Sequence, residues 1–392
     1  MVLPSWAGNQ LLNEDPFTIY VCGITPYDAT HLGHAATYLL FDLISRYQIA
    51  LGNTVHFAEN ITDIDDPLLE RALRDNQNWE ELAQSQIDLF RSDMSALHII
   101  PPESFVPVTT NIDEIADYVK KLIDLGKTYT LEGDIYFRIT PYLEKLPYSY
   151  QDALEIFAQR GGDPKRAGKE EPLDALLWKA RRPNEPYWHT VLGEGRPGWH
   201  IECSVIALQS LGIYGSGRNA SISLQGGGRD LIFPHHFMSA AQVSALTGKD
   251  FASHFINAGM IGLNGEKMSK SLGNLILVSK LLAEQIDPMV IRWALMNGDL
   301  LMDRMWQESD IDIAQLAISK LKNALSKELT VPTKGLFEQI NQYLADGLQT
   351  KAALQVLDDW ATRTLALPAG DLVKGEAGTL ARYIELLLGL TL

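Results

Sequence analysis

FTIYVCGITPYDATHLGHAATYLLFDLISRYQIALGNTVHFAENIT, residues Phe17 to Thr62, contains two β-rich apolar runs on either side of a segment of helical length. The runs are FTIYVC (Phe17 to Cys22) and TVHFAENIT (Thr54 to Thr62), rich in the β-branched and aromatic residues that suit strands. The intervening HAATYLLFDLISRYQIALG ends at Gly52, a residue suited to a left-handed C-cap. Two strands joined through a helix form a parallel βαβ unit, because a tight turn cannot connect parallel neighbours. The expected fold class is α/β, a Rossmann-like parallel sheet of the nucleotide-binding type.

Helical segments follow at about Trp79 to His98 and Ile112 to Leu125. From Lys127 to Pro197 short strands mix with turn-rich charged pieces such as RGGDPKRAGKEEP, which reads as an insertion. The α/β pattern resumes with WHIECSVIALQSLG as helix, SISLQGG as strand, FPHHFMSAAQVSALTG as helix and HFINAGMIGL as strand. Beyond Asn274 the pattern is helical, with candidates near 277–297, 311–328, 334–348, 350–367 and 378–390. The expected organisation is a first half of the catalytic α/β domain over 1–110 and a connective insertion over 111–196. The second half then spans 197–275, and a C-terminal helical bundle spans 276–392.

Composition narrows the function. The 392 residues carry 33 Lys and Arg against 49 Asp and Glu, a formal charge of −16. Broad binding of a polyanion needs clustered cations, which this balance does not offer. From residue 320 onward eight cations meet eight anions, so the terminal helices make a poor platform for an RNA backbone. No stretch approaches the roughly 18–20 apolar residues of a membrane span, and the start MVLPSWAGNQLLNEDP lacks the pattern of a signal peptide. With only Cys22 and Cys203, no disulfide framework is expected, and a reducing cytoplasmic setting is the default. No membrane and no nucleic-acid partner are expected.

Three constellations carry chemistry. THLGH, Thr30 to His34, opens the first helix, where free N–H groups and partial positive charge favour a phosphate. Gly33 permits close approach to the backbone, and His31 and His34, three apart, share a face. KMSKS, Lys267 to Ser271, places Lys267 and Lys270 in a loop after a strand, able to follow a departing polyphosphate. Cys22 at a strand end, Cys203 within GRPGWHIEC and His235 at a helix start form a Cys₂His set suited to zinc with an open position. Each taken singly also reads as a buried thiol or core imidazole, and His236 is a rival to His235 for the third place.

The helix-start and KMSKS motifs together resemble the class I aminoacyl-adenylate-forming enzymes. Over residues 17–300 the chain is similar to the cysteinyl-tRNA synthetases. The shared pattern comprises CG-x-T-x-YD, H-x-GH, NITDIDD, LWK, GRPGWHIECS, GGG-x-DL-x-FPHH and KMSKS, in that order. The resemblance implies a class I synthetase-type sheet and zinc held at Cys22, Cys203 and His235. Its fourth zinc ligand, a Glu, is replaced by Ser239. Within that group the segment CGITPYDATHLGHAATY (Cys22 to Tyr38), Gln225–Gly228 and QRGGDP (Gln159 to Pro164) resemble the cysteine ligases of mycothiol biosynthesis. The departures are Gln159 for Glu, Arg229 where Ser is general and Phe237 where Glu is common.

That resemblance implies an ATP-dependent ligase joining L-cysteine to the amine of glucosaminyl-inositol through a cysteinyl-adenylate, with magnesium accompanying ATP. It implies catalytic roles for His31, His34, Lys267 and Lys270. Gly23, Ile24, Thr25, Thr37, Asn60, Ile61, Thr62, Trp199, Gly228, Arg229, Asp230 and Ile261 are expected to line the adenylate site beside Cys22. Asp230 is the candidate for the substrate ammonium, and Gly226 to Gly228 are expected to let adenine stack on backbone. The alternatives are a cysteinyl-tRNA synthetase, or truncated relative, that charges tRNA, and a zinc-binding adaptor built on a synthetase scaffold.

Overall fold

The computed structural model describes residues 4–6, 8–10, 14–27, 29–215, 217–268 and 273–392. After a two-stranded hairpin, β1 (Ser5–Trp6) and β2 (Asn9–Gln10), the chain enters β3 (Phe17–Val21), buried at every residue. A strand covered on both faces reads as an unbroken apolar run, which is the pattern of FTIYV. α1 (Leu32–Leu51) follows, capped by the His31 ring, which accepts the Gly33 N–H at 3.0 Å, and closed by Gly52 at φ 96°. β4 (Val55–Ile61) pairs parallel with β3, confirming the βαβ unit. α2 (Asp66–Arg74) and α3 (Trp79–Ala96) lead to β5 (Ser104–Pro107), parallel to β4.

After α4 (Ile112–Asp124) the chain builds a second sheet. β6 (Thr128–Leu131), β7 (Asp134–Phe137), β8 (Ala175–Ala180), β9 (Trp188–Thr190) and β10 (Gly193–Pro197) pair antiparallel in the order β6-β7-β8-β10-β9. α5 (Tyr150–Gln159) lies between β7 and β8 in the chain. The charged residues of this region are used internally: buried Asp134 accepts Arg166 at 2.6 Å and Arg182 at 2.8 Å.

α6 (Trp199–Leu211), β11 (Ala220–Gly228), α7 (Phe237–Thr247) and β12 (Asp250–Ala258) complete the main sheet, in the order β12-β11-β3-β4-β5 with every pair parallel. Chain connections diverge between β3 and β11. In open α/β sheets, ligands bind outside the carboxyl ends of the strands at such a point. Ile19, Val21 and Phe57 face one apolar cluster with α1 and the C-terminal helices, whereas Tyr20 and Ala58 face another with α4, α6 and α7.

Two elements expected as continuous are each broken in two, and the helix expected from Phe233 begins regularly only at Phe237, after an irregular stretch in which Phe233 is extended. HFINAGMIGL is not one strand: β12 stops at Ala258, and β13 (Ile261–Leu263) belongs to a separate small sheet with β14 (Glu266–Lys267) and β15 (Arg304–Trp306). The break falls at Gly259, where a Cβ would lie 2.1 Å from the Met302 carbonyl oxygen, and Met260, whose N–H is drawn to Asp303 at 2.9 Å. The helix expected over 277–297 is two, α8 (Val278–Ala283) and α9 (Pro288–Met296). Gln285 at φ 62° ends the first, and Asp287 caps the second with Pro288 at its first position. α10 (Ser309–Leu325), α11 (Lys334–Ala345), α12 (Thr350–Ala366) and α13 (Ala377–Leu388) form the remaining helices. Among the described residues no helix is long and apolar enough to cross a membrane.

A buried ionic hub ties the terminal helices to the sheet. Asp42 of α1 accepts Arg46 at 2.9 Å and also pairs with Arg292 of α9, which is fully buried. Arg292 continues to the carbonyls of Leu388 (2.7 Å) and Leu97 (2.8 Å), and Arg46 to those of Glu385 and His98. Burial alone would raise the Asp42 carboxyl, but the Arg292 and Arg46 charges outweigh it and hold it below the usual carboxylate range. Removing Arg292 would leave Asp42 with Arg46 alone and strip the buried Leu388 and Leu97 carbonyls of their donor. Arg292→Leu is therefore expected to cost about 3–5 kcal/mol, read as a lower urea midpoint; a midpoint equal to the parent's would mean that the hub contributes nothing.

Candidate active site

The site begins where β3 ends. The Cys22 N–H donates to the Gly226 carbonyl at 3.1 Å, joining the ends of β3 and β11. At Gly23 a Cβ would sit 1.6 Å from the Asn60 carbonyl oxygen, so no side chain can occupy that position. The Asn60 side chain then organises the turn. Its Oδ1 accepts the Gly23 N–H at 2.9 Å and the Tyr20 hydroxyl at 3.0 Å, and its amide donates to Thr62 at 3.0 Å. Asn60 was expected as a lining residue; its role as the pivot under the turn is visible only in three dimensions.

Three separate elements deliver sulfur and imidazole to one point. Cys22 leaves β3, Cys203 sits in the second turn of α6, and His235 comes from the irregular segment Ile232–His236 before α7. The three donor atoms lie within 4.8 Å of one another, and all three residues are buried. His235 Nε2 is 3.1 Å from Cys203 Sγ, while its Nδ1 meets His200 Nδ1 at 3.1 Å. His236 is 3.4 Å from Cys22 Sγ through Nε2, and its Nδ1 is 3.1 Å from the Asn257 amide. Among the described residues, the group of donors within metal-binding reach contains His235 and not its neighbour. Ser239 donates to the His200 carbonyl at 3.1 Å and thereby braces the helix that carries Cys203.

The electrostatics suit a divalent soft cation. Burial, then the His200 and His236 rings, lower His235 well below the ordinary imidazole range, leaving it a neutral donor. Burial lowers His200 to about 3 and His236 to about 4. Burial first, then the Cys22 sulfur, push the Cys203 thiol well above its ordinary value. A bound cation supplies the positive charge that this dry pair of sulfurs lacks and reverses that direction. Two thiols and one neutral imidazole form a donor set that fits zinc.

A cavity of about 410 Å³ opens over these donors. Of the expected adenylate residues, Gly23, Ile24, Thr25 and Thr37 line it from the first half of the sheet, with Asn60 and Thr62 beneath. Trp199, Gly228, Asp230 and Ile261 line it from the second half, and Trp199 stacks on His235 with ring centroids 4.5 Å apart. Ile61 is buried and Arg229 turns away; neither is part of the lining. The Arg229 guanidinium donates to the Leu301 carbonyl at 2.7 Å and lies 3.5 Å from Asp303. The glycines also serve a different end. A Cβ on Gly226 would strike the Phe41 ring at 2.3 Å, and one on Gly227 the His236 ring at 2.9 Å, so these two make room for protein side chains.

His31 and His34 also line the cavity, stacked with centroids 3.9 Å apart at the start of α1. Gly33 is required there because a Cβ would meet the His31 ring at 2.8 Å. The chain returns to this point after the KMSKS stretch: Leu32 N–H donates to Ile276 O at 2.9 Å, and Val278 N–H to Thr30 O at 3.1 Å. Met268 joins the lining, and the backbone of Lys267 lies in β14. Lys270 lies outside the described residues, as does the side chain of Lys267. Sequence reading missed His200, although its position one helical turn before Cys203 is a usable signal. It also missed Tyr38, whose hydroxyl donates to the Cys22 carbonyl at 3.4 Å.

Residues 9–316 match the family described as tRNA synthetases class I (C) catalytic domain. The chain is 46% identical over 384 residues to the L-cysteine:1D-myo-inositol 2-amino-2-deoxy-alpha-D-glucopyranoside ligase of Nocardia farcinica (strain IFM 10152), covering 96% of this chain and 91% of that one. It is 48% identical over 384 residues to ligase 2 of the same description from Corynebacterium jeikeium (strain K411), covering 95% and 90%. Among solved structures it is similar to Mycobacterium tuberculosis methionyl-tRNA synthetase in complex with methionyl-adenylate. The TM-score is 0.66 at 17% identity, covering 96% of this chain and 89% of that one, a likeness of fold.

Behind Tyr38 lies Glu59, 3% exposed, with Oε2 lacking a hydrogen-bond partner. Burial raises it to about 8. Between the ordinary carboxylate range and about pH 8 the native state thus holds a proton that the unfolded state has released. Stability must then fall as pH rises through that window, by about 1.4 kcal/mol per pH unit for one such group. Glu59→Gln is expected to flatten that decline and to exceed the parent in stability on the alkaline side. Parallel pH–stability curves for the two proteins would show that Glu59 is ionised in the fold.

Proposed function

Because this chain belongs to the family of L-cysteine:1D-myo-inositol 2-amino-2-deoxy-alpha-D-glucopyranoside ligases, within the class I (C) synthetase catalytic-domain family, we propose that it ligates L-cysteine to the amine of glucosaminyl-inositol at the expense of ATP. The observation that carries the reading is the single cavity bounded at one end by Cys22, Cys203 and His235 and at the other by His31 and His34 at a helix start. A bifunctional amino acid spans such a cavity. Its sulfur meets soft donors while its carboxylate meets the nucleotide.

In the first step a carboxylate oxygen of cysteine attacks the α-phosphorus of ATP. The bond to the bridging oxygen breaks, giving cysteinyl-AMP and pyrophosphate. The N-terminal turn of α1 offers backbone N–H groups and partial positive charge to the phosphates. His31 and His34, with Lys267 and Lys270 of the KMSKS stretch, oppose the charge that collects on the leaving pyrophosphate. Magnesium accompanies the nucleotide. Asp230 lines the cavity where it can hold the substrate ammonium, with Thr62 nearby on Asn60. In the second step the sugar amine attacks the carbonyl carbon of the mixed anhydride, and AMP leaves with the electrons of the broken carbon–oxygen bond.

Cys22, Cys203 and His235 would hold zinc, which would favour the sulfur of cysteine over the hydroxyl of serine. Sorting by size alone separates one-atom differences by only about 1–3 kcal/mol. The reading also places the protein in the cytoplasm, where both thiols stay reduced. The balanced charge of the terminal helices supports an amino-sugar acceptor over tRNA. Mass analysis of a reaction holding ATP, cysteine and glucosaminyl-inositol is expected to find AMP and the cysteinyl amide of the sugar. Cysteine transferred to tRNA, with none on the sugar, would overturn the assignment.

A further inference from the structure

The QRGGDP motif lies in the inserted region, yet one of its side chains reaches the catalytic sheet. Arg160, the residue after α5, donates through Nη1 to the Asp230 carbonyl and to the Phe233 carbonyl at 2.5 Å. These carbonyls belong to the irregular stretch between β11 and α7, which carries Asp230 at its start and His235 near its end. Phe233 is extended inside that stretch, at φ −141° and ψ 136°, so no regular helix holds it in place. A charged guanidinium nitrogen that donates to two carbonyls at once stands in for the missing backbone ladder.

The remainder of the motif aims that guanidinium. Gly161 takes φ 82°, turning the chain sharply after Arg160. Gly162 lies against Phe157, where a Cβ would be 2.5 Å from the ring. Asp163 then anchors the turn in the insertion through Lys169 at 2.9 Å and the Tyr136 hydroxyl. On the opposite side Asn257 holds the stretch by donating to the Gly228 carbonyl at 3.0 Å. The segment bearing both Asp230 and His235 is thus braced from the sheet and from the insertion.

We infer that Arg160 is a positioning residue: by clamping the Asp230 and Phe233 carbonyls it sets the spacing between the carboxylate that holds the substrate ammonium and the imidazole that holds the metal. The inference rests on the function proposed above. Arg160 is not among the residues that line the cavity, so its loss should disturb the cysteine end of the site and spare the nucleotide end.

The test uses the full-length zinc-loaded protein and cysteine-dependent exchange of pyrophosphate into ATP. Arg160→Ala is expected to raise KM for cysteine about ten-fold, to leave KM for ATP within two-fold, and to weaken zinc affinity about ten-fold in competition with a chelator. Arg160→Lys, which keeps the charge on a shorter side chain, should fall between the two. Millimolar methylguanidinium should restore part of the cysteine KM of Arg160→Ala. Cysteine KM and zinc affinity both within two-fold of the parent would overturn the inference. So would equal losses at the cysteine and ATP ends without methylguanidinium rescue, because a general loss of structure moves both. Should Arg160→Ala fail to fold, Arg160→Lys alone decides between these outcomes. A parent without cysteine-dependent exchange would refute the proposed reaction, whereas zinc affinity would still decide the role of Arg160.

Discussion

The hydrogen-bonded pairing of β3 with β11 is the constraint on which the site depends. Val21 stands opposite Gly226, and the Cys22 amide is bonded to the Gly226 carbonyl. Slipping a strand by one residue reverses the face of every side chain on it. Cys22 would then leave the donors that β11 and its following segment bring toward it. The pairing joins the two halves of the α/β unit across the whole inserted region, and it lies at the divergence of the sheet where a crevice opens. The Asn60 amide reinforces it from β4 by holding the Gly23 turn from below.

Around that register the chain uses exact steric room more than flexibility. Gly23, Gly226 and Gly227 are each required because another group already fills the place of a Cβ: the Asn60 carbonyl, the Phe41 ring and the His236 ring. The same economy appears at Ser239. The Ser239 hydroxyl donates to the His200 carbonyl. His200 in turn contacts the far nitrogen of His235.

Much of this architecture was legible in the sequence where a local rule sufficed. The apolar run of β3, the helical length of α1 and the Gly52 cap gave the βαβ unit, because burial on both faces and a left-handed terminus leave plain residue patterns. Where tertiary contacts overrule local preference, the pattern failed. HFINAGMIGL has strand composition throughout, but the Met302 carbonyl against Gly259 and Asp303 on Met260 break it in two. β5 was overlooked because SFVP is short and ends in proline. Arg229 resembled a lining residue by position, yet a carbonyl at Leu301, contributed by a distant part of the chain, captures it. Cys22, Cys203 and His235 could be expected from motif membership and resemblance, and the structure groups His235, rather than its rival His236, with the two sulfurs.

The most direct measurement is X-ray absorption at the zinc edge of the zinc-loaded protein, with and without cysteine. Two sulfurs at about 2.3 Å and one imidazole nitrogen are expected from the protein, with a third sulfur joining when cysteine is added. A first shell of oxygen and nitrogen alone, or a sulfur count that cysteine leaves unchanged, would contradict recognition of the substrate through its thiol.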